Sequence, residues 1–394
     1  MEFTSLEPLP ILVFTNLVMI AFLLLLGRKG LKEPYSLSRW RRYLMVITSM
    51  VFCLFSFWGT DWFHYAEKYI NVLYVSGYNT ALEDVYVLIA NISPNYLVFR
   101  AIIWGLALWL LLLLFRRVSV STDLLLSIFC GIWLIYFGYG RIVTAYTLMF
   151  LGGLALSKPV KGKILLSLLL GGGLLLASLF FHKTAFFGVA IVLIALLPRL
   201  LNKRTFILLL LIYPFVLLLV QLLLLQFMDA ALDTNDNNAS SVAGQFYLNE
   251  DASEMGIAYL LLLLLQFAPY YMAAWIGYKV NVLQQPEDDT EEETEGQQAE
   301  LRKVAPSDIR FFSRTVVYIV LVSTIFLFDL GANTLVFYIR FMMFGFIPAA
   351  IVLAWAWEHG CCPRMVKYTY LVGLAGTFYA LLYSFYVSYL GVAA

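Results

Sequence analysis

Charge is scarce in this chain: of 394 residues only 13% are Asp, Glu, Lys or Arg, against roughly 25% in an ordinary soluble domain. Together with 62% hydrophobic residues this excludes a soluble globular protein of the usual kind. Cysteine is rare as well. Of the four, Cys53 and Cys130 lie in apolar runs and Cys361 and Cys362 are neighbours, so there is neither a disulfide framework nor metal-ligand spacing. The sequence also lacks a phosphate-binding glycine loop leading into a helix, a His-Glu-x-x-His pair and an internal repeat. These absences argue against an ATP-driven pump, a zinc hydrolase and a repeat-built transporter. The run Gly171-Gly172-Gly173 lies inside an apolar stretch, where it reads as a site of close helix packing. A net charge of +1 offers nothing to nucleic acid. An early Arg-x-x-Asp followed by a histidine motif, which would suggest a membrane acyltransferase, is missing too.

What is present is a series of apolar runs long enough to cross a hydrocarbon core of about 30 Å. They fall at 9–27, 43–58, 97–115, 123–139, 142–157, 164–181, 184–198, 206–227, 256–278, 315–330, 336–357 and 368–390. Backbone polar groups in lipid must be satisfied within the segment, so such runs are helices. The fold class expected is therefore all-α: a polytopic membrane protein of about 12 transmembrane helices, with residues 1–394 as a single transmembrane domain. Pro214, Pro269 and Pro348 interrupt runs and are expected to kink them. No Lys or Arg precedes Arg28, so the first run does not read as a cleavable signal. With the N-terminus outside, the loops after every odd-numbered run hold all but five of the 26 basic residues. This is the positive-inside pattern, and it puts both termini on the outer side. The five exceptions are Lys68, Arg100, Arg141, Lys183 and Arg340.

Three segments stand outside the runs. An outer loop at 59–95 is rich in Tyr, Trp and Asn, suited to sugar rings or to the lipid interface. Its second half carries a capping box from Thr80 to Glu83 and then Val85, Leu88, Ile89 and Ile92 at helical spacing, which predicts an amphipathic helix. A second outer stretch, 228–255, mixes acidic residues with Asn and Ser and reads as a flap. The inner stretch 282–300 has seven acidic residues within 287–295 and no apolar anchor, the composition of a disordered, solvated loop.

Ionisable residues at membrane depth are costly and by default mark function. Asp61, His64 and Tyr65 follow the second run, with Asp61 and Tyr65 one helical turn apart. Arg100 lies one turn into the third run, Arg141 between the fourth and fifth, and His182 and Lys183 between the sixth and seventh. Asp329 and Arg340 flank a later hairpin. Taken singly, each has a plainer reading: Arg100 and Lys183 as snorkelling side chains, Arg340 as the partner of Asp329, Glu83 as the capping acid, His182 as a polar turn residue. Glu67, Lys68 and Asp84 read as surface charges. The plain readings do not explain the set, in which three arginines from different hairpins meet an acid and a histidine on one face. Guanidinium is suited to a bidentate grip on phosphate oxygens.

In their order along the chain these residues resemble the EpsG-like branch of Wzy-type polysaccharide repeat-unit polymerases. The matching pieces are Gly59-Thr60-Asp61 with Tyr65, Glu83 with Tyr86, Arg100, Arg141, Phe181-His182 with Ala185, and Arg340. Two pieces depart from the family's pattern, which often has Arg-Gln where this chain has Arg141-Ile142 and a Glu-Pro-Gly-like sequence at Glu83-Asp84-Val85. The resemblance implies a GT-C-like membrane glycosyltransferase of the bacterial cytoplasmic membrane, acting on its outer face without metal or other cofactor. Its substrates would be oligosaccharide repeat units on undecaprenyl pyrophosphate, with the bilayer and a chain-length regulator as further partners and no nucleic acid. On this view His182 is the catalytic base, with Asp61 and Glu83 as alternatives or as its orienting acid. Arg100, Arg141 and Arg340 bind the pyrophosphate, and Tyr65, His64 and Lys183 complete the substrate site. The competing expectations are a lipid-linked oligosaccharide flippase and an O-antigen-ligase-like transferase.

Overall fold

A computed structural model describes residues 9–55, 66, 69–70, 73, 84–134, 140–159, 163–197, 257–282, 305–325, 338–339 and 341–390. Among these the regular structure is helical and no strand occurs. The helices are α1 (Leu9–Lys32), α2 (Arg39–Phe55), α3 (Asp84–Ile92), α4 (Tyr96–Phe115), α5 (Thr122–Ile132), α6 (Gly140–Ser157), α7 (Ile164–Phe181), α8 (Ala185–Ala195), α9 (Ile257–Val282), α10 (Ser307–Ile325), α11 (Phe346–Glu358) and α12 (Pro363–Leu390).

Five stretches are long and apolar enough to cross a membrane: Phe14–Lys32, Tyr96–Phe115, Gly140–Ser157, Ile164–Phe181 and Pro363–Leu382. The apolar helices α5, α8 and α11 have only 11, 11 and 13 residues. At about 1.5 Å per residue they are shorter than the roughly 30 Å core. Five, rather than about twelve, is thus the number of described helices that qualify by length and composition. The run expected at 206–227 and the flap at 228–255 lie outside the described residues, as does the acidic loop from 283 to 300. Pro269 lies within α9, but Pro348 is in the first turn of α11 and interrupts nothing. A first-turn N–H has no intrahelical partner, so proline is tolerated there.

The helices pack as one bundle. Its most extensive pairing is α6 on α7, and α6 also touches α4, α8 and α10. Glycine sets the α6–α7 distance: a Cβ on Gly152 would lie 2.8 Å from the Gly171 carbonyl oxygen, and one on Gly171 would lie 3.0 Å from that of Gly152. The other two glycines of the run, Gly172 and Gly173, have nothing within 4 Å of such a Cβ. A second group is α9 against α10, α11 and α12, while α1 joins α5 to α2 and α12.

Helix α3 occupies the second half of the first outer loop, but packing divides its apolar residues differently from the periodicity. Tyr86, Ile89 and Ala90 are buried, whereas Leu88 and Ile92 are 62% and 66% exposed. In a chain with so many apolar residues, exposure to lipid costs Leu and Ile nothing, so the side that has a protein partner decides burial.

At one end of the bundle the loops rich in basic residues are tied together by three carboxylates. Asp123 pairs with Arg42 (Nε to Oδ1, 2.9 Å) and accepts from the Leu37 amide at 3.2 Å. The fully buried Asp308 accepts from the Ser119 amide at 2.6 Å and pairs with Lys158 at 2.7 Å. Glu358 accepts from the Ser121 amide at 2.9 Å and from the Tyr35 hydroxyl. The short connection between α4 and α5 is therefore held by Asp308 and Glu358, while Asp123 ties the start of α5 to the segment between α1 and α2. Every group in this network belongs to a segment expected at the cytoplasmic end, so the alternation of the runs and the packing agree on which helix ends lie together. The candidate site lies at the other end.

Candidate functional site

The N-terminus of α4 is set by Asn95, whose side-chain oxygen accepts from the Val98 amide at 3.0 Å. Such a cap satisfies a helix N–H that has no intrahelical partner. It places Arg100 one turn into the helix, pointing inward. Arg100 is only 2% exposed. Its Nη2 donates to the Cys53 carbonyl at 2.6 Å, its Nη1 donates to the Tyr96 hydroxyl at 3.3 Å, and its Cζ lies 4.4 Å from the Trp104 ring centroid. The snorkelling alternative is thereby excluded. A buried guanidinium is held by hydrogen bonds and by an aromatic face, and it cross-links the end of α2 to the start of α4.

Trp104 connects Arg100 to the next helix. It is fully buried, and it leaves no room for a side chain at Gly140, where a Cβ would be 2.9 Å from Trp104 Cδ2 and Cε2. The start of α6 can therefore press against α4, and Arg141 follows directly. Arg141 is partly buried, with its Cζ 5.7 Å from the Tyr86 ring centroid. Tyr86, 1% exposed, in turn meets Phe181 edge-on at 6.0 Å.

His182 ends α7 as its C-cap, in extended backbone, with its amide donating to Ser178 at 3.1 Å. Its carbonyl accepts from the Ala185 amide at 2.9 Å, which leads the chain into α8 within three residues. The ring is partly buried and lies 6.5 Å from that of Tyr146, which stacks closely on Phe344 at 4.3 Å. Lys183 is exposed in the same turn. Phe341 packs against Phe187 at 5.4 Å, which brings the chain just before α11 to the start of α8.

Four of the expected site residues are thus described. Arg141 lies against Tyr86, and Tyr86 meets Phe181, the residue before His182. The His182 ring faces Tyr146 on the helix that Arg141 opens, Arg100 reaches that helix through Trp104 and Gly140, and Lys183 is exposed beside His182 in the turn. Asp61, His64, Tyr65, Glu83 and Arg340 lie outside the described residues. Trp104 and Tyr146 have no prominence in the sequence, because an aromatic residue in a chain that is 16% aromatic does not stand out. Tyr86 was visible only as the companion of Glu83. Chemically, the end of the bundle combines a fixed buried cation, a second cation on an aromatic wall and an imidazole in a tight turn. Such a wall suits stacking on a sugar ring, and guanidinium suits phosphate oxygens.

The sequence profile of the EpsG family matches residues 38–391. No curated protein and no solved structure matches the chain.

Proposed function

Because this chain belongs to the EpsG family of Wzy-like polysaccharide polymerase-type proteins, we propose that it is a membrane glycosyltransferase that polymerises lipid-linked oligosaccharide repeat units. The substrates are units on undecaprenyl pyrophosphate, used on the outer face of the bacterial cytoplasmic membrane by a GT-C-like bundle of about twelve spans with both termini outside. The observation that supports this reading is the chain of contacts from Arg141 to Tyr86 and from Tyr86 to Phe181, the residue that leads into His182, at the end of the bundle opposite the basic loops.

In the reaction, an acceptor sugar hydroxyl attacks the anomeric carbon of the growing glycan. The new C–O bond forms as the anomeric bond to the pyrophosphate oxygen breaks, and the bonding pair leaves with the carrier. The hydroxyl proton passes to a ring nitrogen of His182, imidazole being the side chain most often used as a general base. Asp61 and Glu83 are the candidates to orient that ring or to replace it. Charge developing on the leaving pyrophosphate is met by Arg141 and Arg340. Arg100, with two of its nitrogens engaged by Cys53 and Tyr96, contributes a fixed positive charge in a poorly screened setting. Tyr65, His64 and Lys183 contact the sugar and headgroup portions of the substrates. No cofactor is needed, because the carrier bond is already activated, and a chain-length regulator is a further partner.

The test is the glycan of a strain lacking this chain. Single repeat units on the final acceptor are expected. Loss of all surface glycan would identify a flippase instead, and normal polymer with no transfer to the acceptor would identify a ligase.

A further inference from the structure

At the basic end of the bundle a cavity of about 380 Å³ opens between the C-terminal ends of α6 and α8 and the start of α10. It is lined by Leu156, Ser157, Leu196, Ser307, Arg310 and Arg314. The two arginines are one turn apart on α10, so their charges share the cavity. Neither has a carboxylate within ion-pair distance among the described residues. The nearest acid in sequence, Asp308, is occupied by Ser119 and Lys158. Arg314 is anchored by its Nε, which donates to the Ala195 carbonyl at 2.6 Å, and this leaves its two terminal nitrogens for another acceptor. The first turn of α10 adds amide groups whose partial positive charge favours an anion. The general excess of basic residues at this end explains the side of the membrane on which these arginines lie. Their convergence on one cavity, with no carboxylate of the described residues paired to either, is a separate fact.

We propose that this cavity binds the phosphodiester headgroup of an anionic phospholipid. Phosphate supplies the missing negative charge to two guanidinium groups in a geometry they grip well. A lipid fits better than free phosphate because one side of the cavity is apolar and runs on into the membrane-facing surface. Leu156 and Leu196 line the cavity, and beside them Leu193, Ile194 and Leu197 of α8 and its end are 46%, 43% and 56% exposed. Acyl chains attached to a headgroup in the cavity therefore have a continuous apolar path. The site lies at the opposite end of the bundle from Arg141 and His182 and requires no glycosyl transfer.

The experiment is native mass spectrometry of the full chain, purified in neutral detergent, with added phosphatidylglycerol, phosphatidylcholine or inorganic phosphate. The wild type is expected to retain phosphatidylglycerol at least about tenfold more strongly than phosphatidylcholine, the scale of one charge-assisted hydrogen bond. Millimolar inorganic phosphate should not displace it. Because Arg314 also braces Ala195, Arg310→Gln is the deciding variant: it should lose about tenfold in phosphatidylglycerol retention while its thermal midpoint stays within a degree or so of wild type. Equal retention of the two lipids, unchanged retention in Arg310→Gln, or displacement by millimolar inorganic phosphate would each overturn the proposal.

Discussion

Gly140 is the position at which packing and chemistry meet most directly. An alanine there would put its Cβ 2.9 Å from Trp104 Cδ2 and Cε2 and 3.1 Å from Ile103 Cγ2. Carbon atoms rest at about 3.5 to 4.0 Å, so the start of α6 must retreat by roughly 0.7 Å. Trp104 is fully buried and is covered by the Arg100 guanidinium, so it cannot yield in place of the helix. Overpacking of this kind costs about 1–3 kcal/mol, and the gain in helix propensity from Gly to Ala offsets about 1 kcal/mol of that. The net loss of stability is therefore small, at most about 2 kcal/mol. The functional loss is expected to be larger, because Arg141 moves with the backbone and a displacement near 1 Å can cost on the order of 10²-fold in rate. Gly172→Ala is the control, since that Cβ meets nothing within 4 Å, and it should stabilise the helix by about 0.5–1 kcal/mol. The assay compares polymer formed from lipid-linked repeat units by the purified variants with their thermal midpoints in detergent. Wild-type turnover by Gly140→Ala would refute the view that the Trp104 contact positions Arg141.

Arg100→Lys, Arg141→Lys and Arg340→Lys should each make little polymer at near-normal protein level. For Arg100 the reason is explicit, since an ammonium cannot reach Cys53 and Tyr96 together while lying on Trp104; full-length polymer from all three variants would sink the guanidinium role. His182→Ala should lose on the order of 10²-fold or more in polymerisation rate yet still bind the pyrophosphate-linked donor. Near-normal turnover in that variant would move the base to Asp61 or Glu83, and loss of donor binding would make His182 a positioning residue. Asp308→Ala should destabilise the fold by about 3 kcal/mol, measured by thermal unfolding in detergent, because it strands Lys158 and the Ser119 amide; an unchanged midpoint would deny that this carboxylate braces the α4–α5 connection. A cysteine in place of Thr290 should react with a membrane-impermeant reagent only after the membrane is opened. Labelling in intact spheroplasts would reverse the assigned sidedness.

Charged residues stand out against an apolar chain, and for that reason Arg100, Arg141 and His182 were legible as site candidates without any coordinates. Their surroundings were less so. Arg100 was expected to face a phosphate, but burial turns its fork toward a backbone carbonyl, the cheapest acceptor within reach of a desolvated guanidinium. Trp104, Tyr146, Asp308 and Glu358 act through partners 36 to 323 positions away, and spacing along the chain carries no sign of that. The first outer loop gives the same lesson: periodicity predicted a helix, but the buried side of α3 was chosen by Phe181 and Arg141.

The sequence by itself determined the class of molecule, since lipid leaves a long apolar run no option but helix, and the 164–181 run coincides with α7. It also determined which helix ends lie together, because the basic residues alternate along the chain with the runs. Helix length was decided by the tertiary structure. Apolar composition continues past Ile132 through Trp133 and Leu134, yet α5 stops there, with Trp133 as its C-cap packed edge-on against Tyr270. The tertiary structure alone decided which aromatic residues surround Arg100, Arg141 and His182. Hydropathy is a sum over neighbours in the chain, whereas a binding surface depends on contacts between helices, and those are set by side-chain shape and by where glycine lets two backbones meet.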